Sequence, residues 1–283
     1  VPLKLTLAAA TSRLAAASVP SPRLNAETLL MFTLNCDRAH LHAHPERELT
    51  PDETARYSAA LADRSRGVPA QYITGHQEFW GMDFLVTPAV LIPRPETEHL
   101  IETALEIISA HAGSWKPPAR IADVGTGSGC IALALARELP QAEIHATDIS
   151  PAALAIARSN AARHQLDSRI RFYQADLLAG FAPGSFHLIV SNPPYVGQAE
   201  EDEVQLEVRK FEPRNAVFAG PTGTEVIARL IPQAHAALKP GGWLILEISG
   251  SIVHPVISPL KNWREVKVID DLQSIPRVIQ AQK

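Results

Sequence analysis

The chain has 283 residues, 46% of them hydrophobic and 20% charged, with a formal net charge of −4. That is enough for one large domain and a small one, and it lacks the basic excess of a protein that grips many phosphates, which disfavours a nucleic-acid partner. Cys36 and Cys130 form no metal-binding spacing, no stretch approaches the ~20 apolar residues of a membrane span, and no basic leader precedes a long apolar run, so a cytoplasmic protein is expected.

Residues 5–66 carry apolar residues at three- and four-residue intervals, as in Ala26, Leu29, Leu30 and Leu34. This spacing predicts about four short helices. Breaks fall at Pro20-Ser21-Pro22, at Pro45 and at Thr50-Pro51-Asp52, where a helix N-cap followed by proline and acids is expected. His40, His42 and His44 alternate without acidic or cysteine partners at metal spacing, so a solvated loop is favoured over a metal site. Residues 1–75 are read as a small helical domain. The aromatic and β-branched run Glu78–Val86, centred on Gly81-Met82-Asp83, predicts a β-hairpin within a connecting segment, 76–95.

The third region, 96–283, begins with a helix to about Ala110 and then alternates strand and helix after Pro117-Pro118. Strands are expected at 120–124, 143–149, 170–175, 186–191, 243–248, 266–269 and 278–281, with helices at 128–138, 151–164 and 222–238. Strands interleaved with helices imply an α/β fold with a mostly parallel, doubly wound sheet.

In Asp123-Val124-Gly125-Thr126-Gly127-Ser128-Gly129 a strand ends in a glycine-rich turn that opens a helix. Such a turn lets the backbone approach a ligand closely at a helix N-terminus. The G-T-G-S-G spacing differs from the G-x-G-x-x-G of dinucleotide sites. Asp148 ends the next strand, where a carboxylate can accept both hydroxyls of a ribose, and Asp176 follows the third, within reach of an adenine amine. Acids before the loop and after the second and third strands together resemble the class I S-adenosylmethionine methyltransferases. That resemblance implies a Rossmann-like seven-stranded domain. It places Asp123 near the methionine ammonium, Gly125, Thr126, Gly127, Ser128 and Gly129 along methionine and ribose, and Leu177 against adenine.

The apolar strand 186–191 delivers Asn192-Pro193-Pro194-Tyr195 to the same sheet edge. The Asn192 side-chain oxygen and the Pro193 carbonyl can accept both protons of a planar NH2 group, and Tyr195 can wall it on one side. Glutamine, adenine and cytosine amines all remain open on this chemistry.

Gly75–Phe84, Leu91-Ile92-Pro93-Arg94-Pro95-Glu96-Thr97-Glu98, Val208–Pro213, Lys239-Pro240-Gly241-Gly242 and Ile275-Pro276-Arg277-Val278 resemble the release-factor glutamine methyltransferases of the HemK family. The resemblance implies methyl transfer from S-adenosyl-L-methionine, leaving S-adenosyl-L-homocysteine, to the glutamine amide of the Gly-Gly-Gln motif of bacterial peptide chain release factors. It further implies that the N-terminal domain helps hold the protein substrate, that Asn192, Pro193 and Tyr195 are catalytic, with Asn192 also beside the cofactor, and that Pro194, Arg94 and Glu98 contact substrate. No metal is expected. The alternative enzyme reading is an adenine-amine methyltransferase acting on DNA or RNA, which shares the tetrapeptide but calls for a basic substrate face.

Overall fold

The computed structural model describes residues 1–111, 113–115 and 117–283. They divide into two compact units, Val1–His76 with Gln205–Phe211 and Gln77–Val204 with Glu212–Lys283.

The first unit contains α1 (Leu3–Ala16), α2 (Pro22–Leu34), α3 (Arg38–Ala43), α4 (Pro51–Ser65) and the short α5 (Ala70–Thr74). Leu3, Leu14, Leu29, Leu30, Tyr57 and Leu61 are buried in its core. The Tyr57 hydroxyl donates to the Ala26 carbonyl at 2.9 Å, which satisfies a buried polar group. At the start of α4, Thr50 and Glu53 form the reciprocal capping box, 3.2 and 2.9 Å, with Pro51 in the first turn. The segment 205–211, which the sequence assigns to the large domain, joins this unit instead. The reason is a long-range pairing: Arg64, almost wholly buried, meets Glu207 at 2.8 Å and also donates to Asn25 at 2.7 Å.

The second unit opens with a hairpin of β1 (His76–Phe79) and β2 (Met82–Leu85). Trp80 and Gly81 both have positive φ, 53° and 64°, the twist that a two-residue hairpin turn requires. Trp80 is held in that uncommon conformation by the Glu98 carboxylate on its amide (2.8 Å) and by Glu138 on its indole N–H (2.9 Å). Phe79, Met82 and Phe84 bury themselves in the core of the sheet domain, so the hairpin is part of that domain rather than a free connector.

Then follow α6 (Glu98–His111), β3 (Arg120–Val124), α7 (Cys130–Glu138), β4 (Glu143–Asp148), α8 (Pro151–Arg163), β5 (Ile170–Gln174) and β6 (Phe186–Ser191). After them come β7 (Val196–Gly197), α9 (Leu206–Phe211), which belongs to the first unit, then α10 (Arg214–Val217), β8 (Phe218–Gly220), α11 (Glu225–Ala237), β9 (Leu238–Glu247), β10 (Arg264–Asp270) and β11 (Pro276–Gln282). Seven strands form one sheet in the order β10-β11-β9-β6-β3-β4-β5. β9, β6, β3, β4 and β5 run parallel, and β11 is reversed, antiparallel to both β9 and β10. The central strands are apolar on both faces because helices cover both: Leu188 and Val190 enter one core, Phe186 and Ile189 the other.

Strand order reverses between β3 and β6, the switch point at which ligands bind in open α/β sheets. Their register sets Val124 beside Ser191, and the Ser191 hydroxyl donates to the Val124 carbonyl at 2.6 Å. The glycine loop and the Asn192 loop therefore leave the sheet side by side.

Candidate active site

A cavity of about 300 Å³ opens at this switch point. Its lining includes Gly125, Thr126, Gly127 and Ser128, then Asp148, Asp176 and Leu177, then Asn192 and Pro194, with Arg94 and Thr97 on another side. Five segments that the sequence nominated separately thus converge on one space.

The glycine turn is built on the carbonyl of Thr147, which receives the amides of Gly125 and Thr126 at 2.9 Å each. Gly125 (φ 75°) and Gly127 (φ 55°) have positive φ, and a Cβ at either would meet open space. Glycine is needed there for conformation and leaves room for a ligand against the backbone. Gly129 differs: it lies outside the lining, and a Cβ would stand 2.9 Å from Leu133 and 3.2 Å from Ala157. Glycine is required there because helix packing leaves no room for a Cβ.

Asp123 also departs from expectation. It is fully buried behind the loop, where one carboxylate oxygen accepts from the Thr126 hydroxyl (2.6 Å) and the Ala132 amide (3.1 Å). The other oxygen has no partner among the described residues. Desolvation pushes its pKa up to about 7, against the lowering effect of those two bonds. Any reach toward an ammonium is through that free oxygen. Asp148 accepts from the Gly127 amide and the Ser150 amide, both at 2.9 Å, and so braces the glycine turn from the adjacent strand. Burial raises its pKa, and the backbone hydrogen bonds oppose the shift.

Asp176 is exposed and paired with Arg229 of α11, a cavity-lining residue that sequence reasoning missed. Leu177 lies in the left-handed region (φ 56°), an uncommon conformation for a bulky side chain and one that clusters at functional sites. Ile149, beside Asp148, is 58% exposed and lines the cavity. It is an apolar wall that no polar motif in the sequence marks.

Arg94 is ion-paired with the buried Glu212, whose other oxygen accepts the Ile92 amide at 3.1 Å. Glu98 does not face the cavity: its carboxylate caps the Trp80 amide of the hairpin turn, so the structure gives it a positioning contact instead of the expected substrate contact. Pro193 and Tyr195 lie behind Asn192 and Pro194, outside the cavity lining. The Tyr195 hydroxyl donates to the Glu247 carboxylate at 3.3 Å, and burial, then the neighbouring Glu247 charge, raises its pKa. The Cys130 thiol, pushed up to about 12 by burial, is no nucleophile at neutral pH. Among the described residues no cluster of His, Cys, Asp and Glu is arranged to hold a metal.

The loop after Asn192 is clamped by backbone. β7 pairs with β8, and Gly223 (φ 83°) packs so closely that a Cβ would stand 2.6 Å from the Tyr195 carbonyl and 2.9 Å from the Gly197 amide. Gly223→Ala is expected to displace this loop and lower turnover by at least ~10-fold, since such backbone strain costs ~1–3 kcal/mol. Kinetics beside a thermal melt check it, and normal turnover would remove the clamp from consideration.

Comparison with known proteins decides the family. Residues 6–75 match the PrmC N-terminal domain and residues 106–210 the methyltransferase small domain. The release factor glutamine methyltransferase of Koribacter versatilis is 56% identical over 99% of this chain and 98% of its own length. The chain belongs to the release factor glutamine methyltransferase family. A second such methyltransferase, from Nitratidesulfovibrio vulgaris, is 42% identical over 97% of this chain and 92% of its own. Among solved structures, the hMettl16 catalytic domain covers 95% of this chain and 90% of its own at a TM-score of 0.58 and 14% identity, a likeness of fold alone. Within the release factor glutamine methyltransferase frame, the mostly parallel seven-stranded sheet is the one that the sequence led one to expect.

Proposed function

We propose that this chain transfers a methyl group from S-adenosylmethionine to the side-chain amide nitrogen of glutamine in the Gly-Gly-Gln motif of bacterial peptide chain release factors. The observation that carries the reading is the shared cavity: Asn192 and Pro194 line the same space as Gly125–Ser128 and Asp148. Family membership at 56% identity supports the substrate.

The residues fit the cofactor. The open backbone at Gly125 and Gly127 and the half-buried Asp148 carboxylate suit the methionine and ribose portions, and the unpartnered Asp123 oxygen suits an ammonium. Ile149, Leu177 and the Asp176 region suit the adenine. When bound, the cofactor supplies a methyl group on a sulfonium. The protein's part is orientation. The Asn192 oxygen would accept one of the two N–H protons of the substrate amide, aim its nitrogen at the methyl, and favour the positive charge that builds on nitrogen as the C–N bond forms. One of those protons then leaves to solvent. The chemistry calls for no strong base and no metal.

The N-terminal unit, matched to the PrmC N-terminal domain, is the part we assign to holding the protein substrate. The cytoplasm, where release factors act, is the proposed place of work. No described helix is long and apolar enough to cross a membrane. The test is mass spectrometry of a release factor after incubation with enzyme and cofactor, with DNA and RNA oligonucleotides in parallel. One added methyl on the Gly-Gly-Gln glutamine is expected. Methylation confined to an oligonucleotide would overturn the reading.

A further inference from the structure

One buried side chain bonds two walls of the cavity at once. Asn160, on α8, is 0% exposed. Its oxygen accepts from the Leu85 amide at 2.7 Å, and its nitrogen donates to the Leu85 carbonyl at 3.0 Å and to the Ser128 carbonyl at 2.9 Å. Leu85 ends the hairpin strand β2, and just beyond it the chain lines the cavity with Ala89, Val90, Leu91, Pro93 and Arg94. Ser128 belongs to the glycine turn, which lines the same cavity.

The bonding pattern calls for this side chain and no other of its size. A primary amide carries one accepting oxygen and two N–H donors, and here the oxygen meets one N–H while the nitrogen meets two carbonyls. A flipped amide would set N–H against N–H and oxygen against both carbonyls, so only one orientation is allowed. An ionised aspartate offers acceptors alone, and leucine offers neither. Because the group is shut off from water, breaking any of the three bonds leaves a buried polar atom without a partner.

The glycine turn meets α8 again at the next residue. A Cβ on Gly129 would stand 3.2 Å from that of Ala157, which lies three residues before Asn160 and so on the same helical face. The Gly129 amide, at the other end of the Ser128 peptide, donates to the Thr126 carbonyl at 2.8 Å. Both polar ends of that planar peptide are therefore held, and it cannot rotate. Asp148 holds the amide of Gly127 from the adjacent strand. Asn160 holds the turn from behind.

We infer that Asn160 is a positioning residue for cofactor capture, which fixes the gap between the glycine turn and the wall 89–94 before the ligand arrives. The inference rests on the reading of this cavity as the S-adenosylmethionine site. Without the side chain both walls fluctuate in the empty protein, and the ligand has to order them as it binds, which weakens binding. The loss falls on capture rather than on methyl transfer, because a ligand filling the gap restores the spacing from inside.

The test uses the whole chain with Asn160→Leu and Asn160→Asp. Calorimetric titration with S-adenosylhomocysteine is run well below each thermal midpoint, beside kcat at saturating cofactor and release factor. Asn160→Leu nearly keeps the volume and deletes all three bonds. It is expected to weaken S-adenosylhomocysteine by at least ~10-fold, the weight of about one hydrogen bond, with kcat within ~3-fold of the wild type. A smaller loss of affinity overturns the inference, and a kcat that falls as far as the affinity overturns the assignment to capture. In Asn160→Asp the protonated acid, which burial favours, donates one of the lost bonds again. Its deficit against the wild type at the same pH is expected to be smaller than that of Asn160→Leu, most clearly at about pH 6; the wild type is measured in parallel because Asp123, at about 7, titrates in the same range. Equal deficits at every pH would mean that Asn160 only fills space, and they overturn the inference. If neither variant folds, hydrogen exchange of the wild type decides: saturating S-adenosylhomocysteine is expected to slow the Leu85 amide at least ~10-fold more than the Trp80 amide at the hairpin tip, and equal slowing overturns the coupling. A wild type that does not bind S-adenosylhomocysteine overturns the cofactor reading itself, an outcome distinct from a wild type and Asn160→Leu that bind alike.

Discussion

Asn192→Ala is expected to lower methyl transfer by at least ~100-fold while leaving cofactor affinity within a few fold, the range that follows loss of one preorganised polar group at a reacting centre. The argument is differential. Asn192 touches the cavity through its side chain, but the features suited to the cofactor lie on other strands, at the glycine turn after β3 and at Asp148 after β4. Truncation therefore removes the group that orients the nucleophile and spares the platform. A leftover cavity at a half-buried site does not disturb the sheet, because the strand behind it is anchored by the Ser191 hydroxyl on the Val124 carbonyl. Single-turnover methyl transfer with calorimetric cofactor titration separates the two effects. Near-normal turnover would remove Asn192 from the chemistry.

Asp148→Ala should invert that pattern, weakening the affinity for cofactor or its demethylated product by ~100-fold or more with a smaller effect on the rate at saturation. Hydrogen bonds to a charged group are worth ~1.5–3 kcal/mol each, and a ribose offers two. The loss has a second source, since Asp148 also holds the amides of Gly127 and Ser150, and an unbraced glycine turn must be reordered by the ligand itself. Calorimetric titration with S-adenosylhomocysteine reads this directly. An affinity within ~3-fold of the wild type would detach Asp148 from the ribose.

The sheet domain was legible because its signals are local. Strand and helix patterns at 120–124, 151–164 and 186–191 reappear within a residue or two of β3, α8 and β6, since apolar runs and capping residues act over one or two turns. The glycine turn, Asp148 and Asn192 were legible for the same reason: each ends a strand whose direction fixes the edge it reaches. What failed to show depends on partners distant in sequence. The family resemblance made Glu98 a substrate contact, and nothing nearby announces that it caps Trp80, 18 residues earlier. Glu247 ends a strand with no partner near it in sequence; it receives the Tyr195 hydroxyl only once the sheet has closed. Gly129 belonged to a motif of ligand-contacting glycines, yet the close approach of Leu133 and Ala157 that requires it is a matter of helix packing.

The return of residues 205–211 to the N-terminal unit bears on how the protein is made. N-terminal domains generally finish folding first as a chain emerges from the ribosome, but here Arg64 waits for Glu207, so the helical unit stays incomplete until most of the sheet domain has been synthesised. The chain crosses between units at 76/77, 204/205 and 211/212, and two of those crossings flank a helix that begins soon after the Asn192 loop. No single cut can then release an intact half: removing residues 1–75 would strand α9 without its packing partners. The enzyme is inherited, and must be engineered, as one piece.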